Sequence, residues 1–244
     1  MLTLNKYLSR LIGLLCLYPA QSMAIDLSFV GDSSSTSEKL LINGRYLSVN
    51  TGGAGLQLQQ SFFDGYLIAS ATYLLGYAGD ASATFSGAYV SGPAKLKTQG
   101  AGLRAYLLPT STATPFLSYT TSRKDGDINF TGLKNTLPIN GSSTLLFRNT
   151  AMGLGLRYQI NPSWQAEILR GRNQWSINSS AKGTVGSLAV STLIEADNTD
   201  PFTSLSMAYS SGQWRYRGEF GVYRLTASNT ISQQSLTLSV SYAF

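Results

Sequence analysis

The residues of this chain that could do chemistry recur at every second position. Arg157 and Gln159 alternate with apolar neighbours in TAMGLGLRYQI (150–160), and Gln165 and Glu167 do so in WQAEI (164–168). Arg215, Arg217 and Glu219 follow the same rule in WRYRGEFGVY (214–223), and Arg104 sits in QGAGLRAYLL (99–108). Residues two apart on an extended chain point to the same side, so each segment shows its charges on one face. Arginines and glutamates gathered this way suit two tasks. They can neutralise one another in a low-dielectric interior, where each charge needs a partner. They can also line a constriction that sorts ions by charge. Nucleophilic and acid–base chemistry fit poorly, because the chain contains no histidine. That removes the commonest general base, the commonest metal ligand and every Ser-His or Cys-His dyad.

Weaker constellations lead to the same place. DGDINFTG (125–132) sets Asp125, Asp127 and Asn129 at alternate positions, loosely like a calcium loop. The glycine required at its sixth position is Phe130, and the glutamate required at its twelfth is Thr136. Glu195, Asp197 and Asp200 are loop acids with nothing to bring them together. We therefore expect no catalytic, cofactor or metal residues, and no enzyme.

The elements that must position these side chains are strands. No 3.6-residue stripe appears, and period two dominates. Segments 53–62 and 66–77, 99–108 and 115–123, 150–160 and 164–168, and 202–210 and 214–223 read as hairpins on short turns. The final segment is 235–244, and KLLINGRYLSV (39–49) is expected to supply the tenth strand. Ten strands are expected, with eight and twelve as the other even counts. Between the hairpins lie stretches rich in Gly, Ser, Asn and Asp at about 78–98, 124–149 and 172–201, with a shorter one at 226–234. Short and long connections alternate, so all long loops should leave on one side. Strict alternation would send Arg170 to the apolar outer face. The adjacent pair Ile168-Leu169 suggests a bulge that turns it inward.

Residues 1–24 read as a signal peptide. Lys6 and Arg10 precede the apolar run Leu11 to Ala20, and Ser22 and Ala24 fit a cleavage site after Ala24. The one cysteine, Cys16, lies in that apolar run, so the mature chain would have neither disulfide nor cysteine metal site. Residues 25–38 are expected to be a periplasmic segment, and 39–244 the folded domain. Only 12% of residues are charged, and the net charge of +6 is scattered. That is no footprint for nucleic acid. Aromatics cluster beside the short turns: Phe62, Phe63 and Tyr66; Tyr158 and Trp164; Tyr209 and Trp214; Tyr242 and Phe244. Such clustering suits a membrane interface.

The last strand, SLTLSVSYAF, keeps Leu236, Leu238, Val240, Tyr242 and Phe244 on one face up to its final residue. With the paired strands and the asymmetric loops, it resembles the C-terminal strand of Gram-negative outer-membrane β-barrel proteins. The resemblance implies an all-β fold, a transmembrane antiparallel up-and-down barrel in the outer membrane. It also implies that Leu238, Val240, Tyr242 and Phe244 form an assembly signal. The partners it implies are outer-membrane lipid, the barrel-assembly machinery and periplasmic chaperones. No single family within that class is indicated. If the apolar faces meet lipid, the lumen receives Gln57, Gln59, Arg104, Arg157, Gln159, Gln165, Glu167, Arg215, Arg217 and Glu219. We expect these to plug the barrel, with external loops meeting an unknown ligand. The alternative is a narrow, mildly anion-preferring pore.

Overall fold

The computed structural model describes residues 25–36, 40–42, 45–49, 51–85, 88–109, 111–226 and 230–243. The proposed signal peptide and Phe244 lie outside the described residues. Twelve strands occur among the described residues: β1 (Ile25–Thr36), β2 (Leu40–Ile42), β3 (Arg45–Val49), β4 (Thr51–Phe62), β5 (Leu67–Phe85), β6 (Ala88–Tyr106), β7 (Ala113–Lys134), β8 (Leu137–Gln159), β9 (Trp164–Val185), β10 (Leu188–Ser211), β11 (Trp214–Thr226) and β12 (Thr230–Ala243). All pairings are antiparallel, and ten of the strands close on themselves. From β5 to β12 each strand pairs with its successor. β12 then pairs with β1, β1 with β4, and β4 with β5. Closure leaves no unpaired sheet edge for an apolar solvent to meet.

Two expectations are corrected here. The tenth barrel strand is not 39–49. It is β1, drawn from the stretch expected to lie outside the barrel, and it pairs Leu27 with Tyr242, Phe29 with Val240 and Val30 with Ser239. Its alternation is weak because Gly31 takes a turn on the outward face and Val30 points inward. Two flanking strands hold it in register all the same. Residues 40–42 and 45–49 instead pair as the short strands β2 and β3; β3 pairs with the outer half of β5, and β2 approaches β10.

The second correction concerns the long loops. Residues 78–98, 124–149 and 172–201 are for the most part strand. β7, β8, β9 and β10 run for 22, 23, 22 and 24 residues, against about 9–11 needed to cross a hydrocarbon layer. The hairpins therefore continue well beyond the crossing as a projecting sheet. Ladder hydrogen bonds remain satisfied there, and inward side chains still have something to bury. Val90, Phe130, Ile139 and Ala181 form an apolar cluster with Val185 and Val190, and Ile139 is 0% exposed. The β7–β8 turn places Asn135 and Thr136 at positive φ. The Gly186 N–H donates to the Pro138 carbonyl at 2.9 Å and ties the two hairpin tips together.

On the opposite side the turns are short, and the wall carries the expected apolar outer band. Leu154 is 69% exposed, Phe29 67% and Met152 61%, and as a continuous band they suit an apolar surround. Aromatic rings ring its lower border. Trp164 lies 4.9 Å from Tyr209, Tyr209 lies 6.3 Å from Tyr216, and Trp214 meets Tyr242 edge-on at 5.0 Å.

Candidate functional site

The register built from the turns decides which charges meet. The Asn161 side chain accepts from the Ser163 and Trp164 N–H groups and fixes the β8–β9 turn. From there Arg157 falls opposite Glu167, Glu167 opposite Ser206, and Ser206 opposite Glu219. All four side chains point into the lumen. Small inward residues such as Ser206 leave room between the two carboxylates for arginines arriving from elsewhere.

Two arginines take that room. Arg104 reaches across from β6 and donates Nη1 to Glu167 Oε2 at 2.7 Å, with Nη2 3.7 Å from Glu219. Arg217 on β11 sits 2.8 Å from Glu167 and 2.9 Å from Glu219. The remaining Glu167 lone pairs are also used. Tyr106 donates its hydroxyl at 3.2 Å, Gln165 its amide at 2.9 Å and Ser206 its hydroxyl at 3.4 Å. Glu167 is only 4% exposed. A carboxylate so deep is tolerable because cations and neutral donors together replace its water.

Arg157 does not pair with Glu167, although the register sets them opposite each other. It donates to the Pro109 carbonyl at 2.6 Å and lays its guanidinium 4.3 Å from the Tyr106 ring centre. Arg215 lines the lumen beside Arg217. Gln165 braces Glu167 from two residues away, and Gln159 closes the nearby turn by donating to the Asn161 carbonyl at 2.6 Å. Arg104, Arg157, Glu167, Arg215, Arg217 and Glu219 thus share one level near the short-turn end.

Above this ionic layer lies one that strict assignment of apolar residues to the outside does not anticipate. Tyr106, Phe116, Ala151, Leu169 and Phe202 are buried inside the barrel, with Ile68 and Tyr223 packed against them. Tyr106 and Phe116 lie 5.2 Å apart, and Phe202 stacks on Tyr223 at 5.5 Å. The signal for this layer is the glycine pair in "GLGL". Gly153 and Gly155 present no side chain inward from β8. A Cβ on Gly155 would fall 2.2 Å from the Phe116 ring, and one on Gly153 2.9 Å from Leu169. Leu169 points inward without any bulge, since β9 stays in continuous register with both neighbours. Arg170 therefore faces outward, contrary to the inward turn expected from Ile168-Leu169.

Farther out, Trp175 is 1% exposed and donates its indole N–H to Asp200 at 2.7 Å. Glu195 points to the outer surface and accepts from Asn178. The acids 195–200 thus serve different faces of β10. Asp125 and Asp127 ride on β7, and Asp125 accepts from Arg123 Nε and Nη2. Among the described residues no group of three or more His, Cys, Asp or Glu is placed to hold a metal.

The lumen is not filled everywhere. A cavity of about 360 Å³ runs along the lumen, lined from β1, β4 to β9, β11 and β12. Ser235, Thr237, Ser239 and Ser241 of β12 line it, facing Arg104, Arg217 and Glu219. The β12 outer face keeps Leu236 and Leu238 exposed, and Tyr242 donates its hydroxyl to Gln213 in the neighbouring turn.

No family model matches the chain, and no curated protein matches it in sequence. Solved structures do match in shape. The translocator domain of the autotransporter NalP from Neisseria meningitidis superposes with a TM-score of 0.58 at 10% identity, covering 99% of this chain and 95% of that one. The outer membrane protease OmpT from Escherichia coli gives 0.60 at 9% identity, covering 93% and 98%. At such identities the likeness concerns the fold. This chain has the fold of outer-membrane β-barrels.

Proposed function

We propose that the protein sits in the outer membrane as a closed barrel, a scaffold that holds its projecting sheet outside the cell for contact with a partner. The observation that carries this reading is the pair of layers across the lumen. Arg104 spans from β6 to Glu167 and Glu219, and Phe116, Leu169 and Phe202 pack directly above. Small barrels generally fill their interiors with side chains. An ionic lattice with nearly every bond made costs more to open than an isolated pair. The projecting hairpins supply the surface, with exposed Leu133, Leu137 and Leu188 at their tips. A signal peptide cleaved after Ala24, assembly through Leu238, Val240, Tyr242 and Phe244, and the absence of catalysis belong to the same proposal. The test is a variant with both distal hairpins shortened, lacking 128–143 and 180–194. It should still insert and lose the adhesion that the intact chain confers on cells. Equal adhesion by both, or none by either, would refute the surface role.

The lumen cavity favours a second reading, a narrow path for small solutes. Its lining holds Arg104, Lys124, Arg157, Arg215 and Arg217 against Asp26 and Glu219, so such a path would prefer anions mildly. Reversal potentials in a salt gradient decide that sign, and cation preference would exclude it.

A further inference from the structure

The charges hardest to explain lie on the outer wall. Arg170 and Arg172 of β9 and Arg148 of β8 are exposed and point away from the lumen. Leu154 and Thr203 flank Arg170, and Met152 and Pro201 flank Arg172. Neither has an acid beside it. None of the three enters an ion pair among the described residues. Arg148 stands directly opposite Arg123, a like-charge pairing that is unfavourable across strands. Arg123 is already occupied, because Asp125 takes its guanidinium at 2.8–3.0 Å.

Depth tells what these arginines could meet. The aromatic border at Trp164 and Tyr158 marks one side of the apolar band. Strands rise about 3.3 Å per residue and tilt about 40° in such barrels, which puts Arg170 roughly 15 Å, Arg172 roughly 20 Å and Arg148 roughly 25 Å above that border. The band itself is about 25 Å tall. An arginine stem adds several ångströms and carries its charge toward the nearer interface. The guanidinium groups of Arg172 and Arg148 are therefore within reach of the far interface, and the Arg170 stem carries its charge most of the way to it. Met152, Leu154 and Ile168 continue the same strip below them as exposed apolar surface. Three unpaired guanidinium groups above an apolar strip complement a molecule with phosphates at its head and acyl chains beneath.

We propose that Arg148, Arg170 and Arg172 form a docking surface for the phosphate groups of a phosphorylated lipid in the outer leaflet, with its acyl chains along Met152, Leu154 and Ile168. Guanidinium groups bind phosphate oxygens through paired N–H donors, and Arg148, whose facing Arg123 is taken by Asp125, keeps its donors for such a group. This rests on the membrane location proposed above and not on the closed lumen or the surface role.

Native mass spectrometry of the full chain released from membranes tests it, with diphosphorylated lipid A and fully dephosphorylated lipid A of the same acyl chains as probes. The intact protein should retain the diphosphorylated form at least tenfold better. R148Q/R170Q/R172Q should lose that preference, and K134Q/K182Q, which removes charge at the hairpin tips, should keep it. If the triple variant does not fold, R172Q alone should lower the preference about threefold. Equal retention of both probes by the intact protein, an unchanged preference in the triple variant, or an equal loss in the hairpin-tip control would overturn the proposal. A chain that does not co-sediment with membranes at all would remove the membrane location first, and a chain that inserts without phosphate preference would remove this inference alone.

Discussion

Glu167 holds the lumen together more than any other side chain. It accepts from Arg104, Tyr106, Gln165 and Ser206 and pairs with Arg217, all while nearly inaccessible. Glu167→Gln strips the charge and leaves two arginines facing each other, so it should cost about 3–5 kcal/mol of stability, the usual penalty for breaking a buried pair. Glu219 is more exposed and has fewer partners, so Glu219→Gln should cost well under half as much. Denaturant unfolding of both variants in detergent measures the difference, and equal losses would contradict the central place of Glu167. Gly155 matters for the opposite reason, having no side chain. Gly155→Val would drive a methyl into the Phe116 ring and should cost about 1–3 kcal/mol by overpacking. Loss of near-ultraviolet dichroism from the aromatic layer would report it, and an unperturbed spectrum would show that Phe116 has room to move.

At the scale of elements, the clean alternation of 99–108, 164–168 and 214–223 made the central strands readable, and with them the inward placement of Arg104, Glu167, Arg217 and Glu219. What stayed hidden has two physical causes. The distal halves of β7 to β10 are rich in Ser, Gly and Asn, residues that favour loops when judged singly; here a ladder of neighbouring strands overrides that preference. The inner apolar layer was hidden by the assumption that one face is wholly apolar and the other wholly polar. Leu169 and Phe116 break that rule because glycines across the strand make space for them. β1 was missed because closure is a property of partners at both edges, and no single strand shows it. A cysteine pair tests the seam. Val30→Cys with Ser239→Cys joins residues that face each other across β1 and β12, and cross-strand Cβ atoms lie about 4.5–5.5 Å apart. An oxidised cross-link should form in the folded barrel. Its absence, with a cross-link forming instead from 39–49 to β12, would restore the other closure. Within β7 to β10, proteases added from outside should likewise cut only near 135–136 and 186–187, whereas cleavage spread through 124–149 would mean loops in place of strands.

At the scale of the whole molecule, the ionic layer, the apolar layer above it and the distal apolar cluster around Ile139 lie in series along the axis. Each narrows the lumen around the cavity of about 360 Å³, and on the reading proposed above they leave no open path through it. The measurement that bears most directly on this is single-channel conductance in a planar bilayer, with the intact chain beside Arg104→Ser/Glu167→Ser/Phe116→Ala. The intact protein should show no resolvable steady conductance, and the variant, with the cross-lumen struts and the ring removed, should pass current. Stable open steps from the intact protein, unchanged in the variant, would contradict the closed barrel.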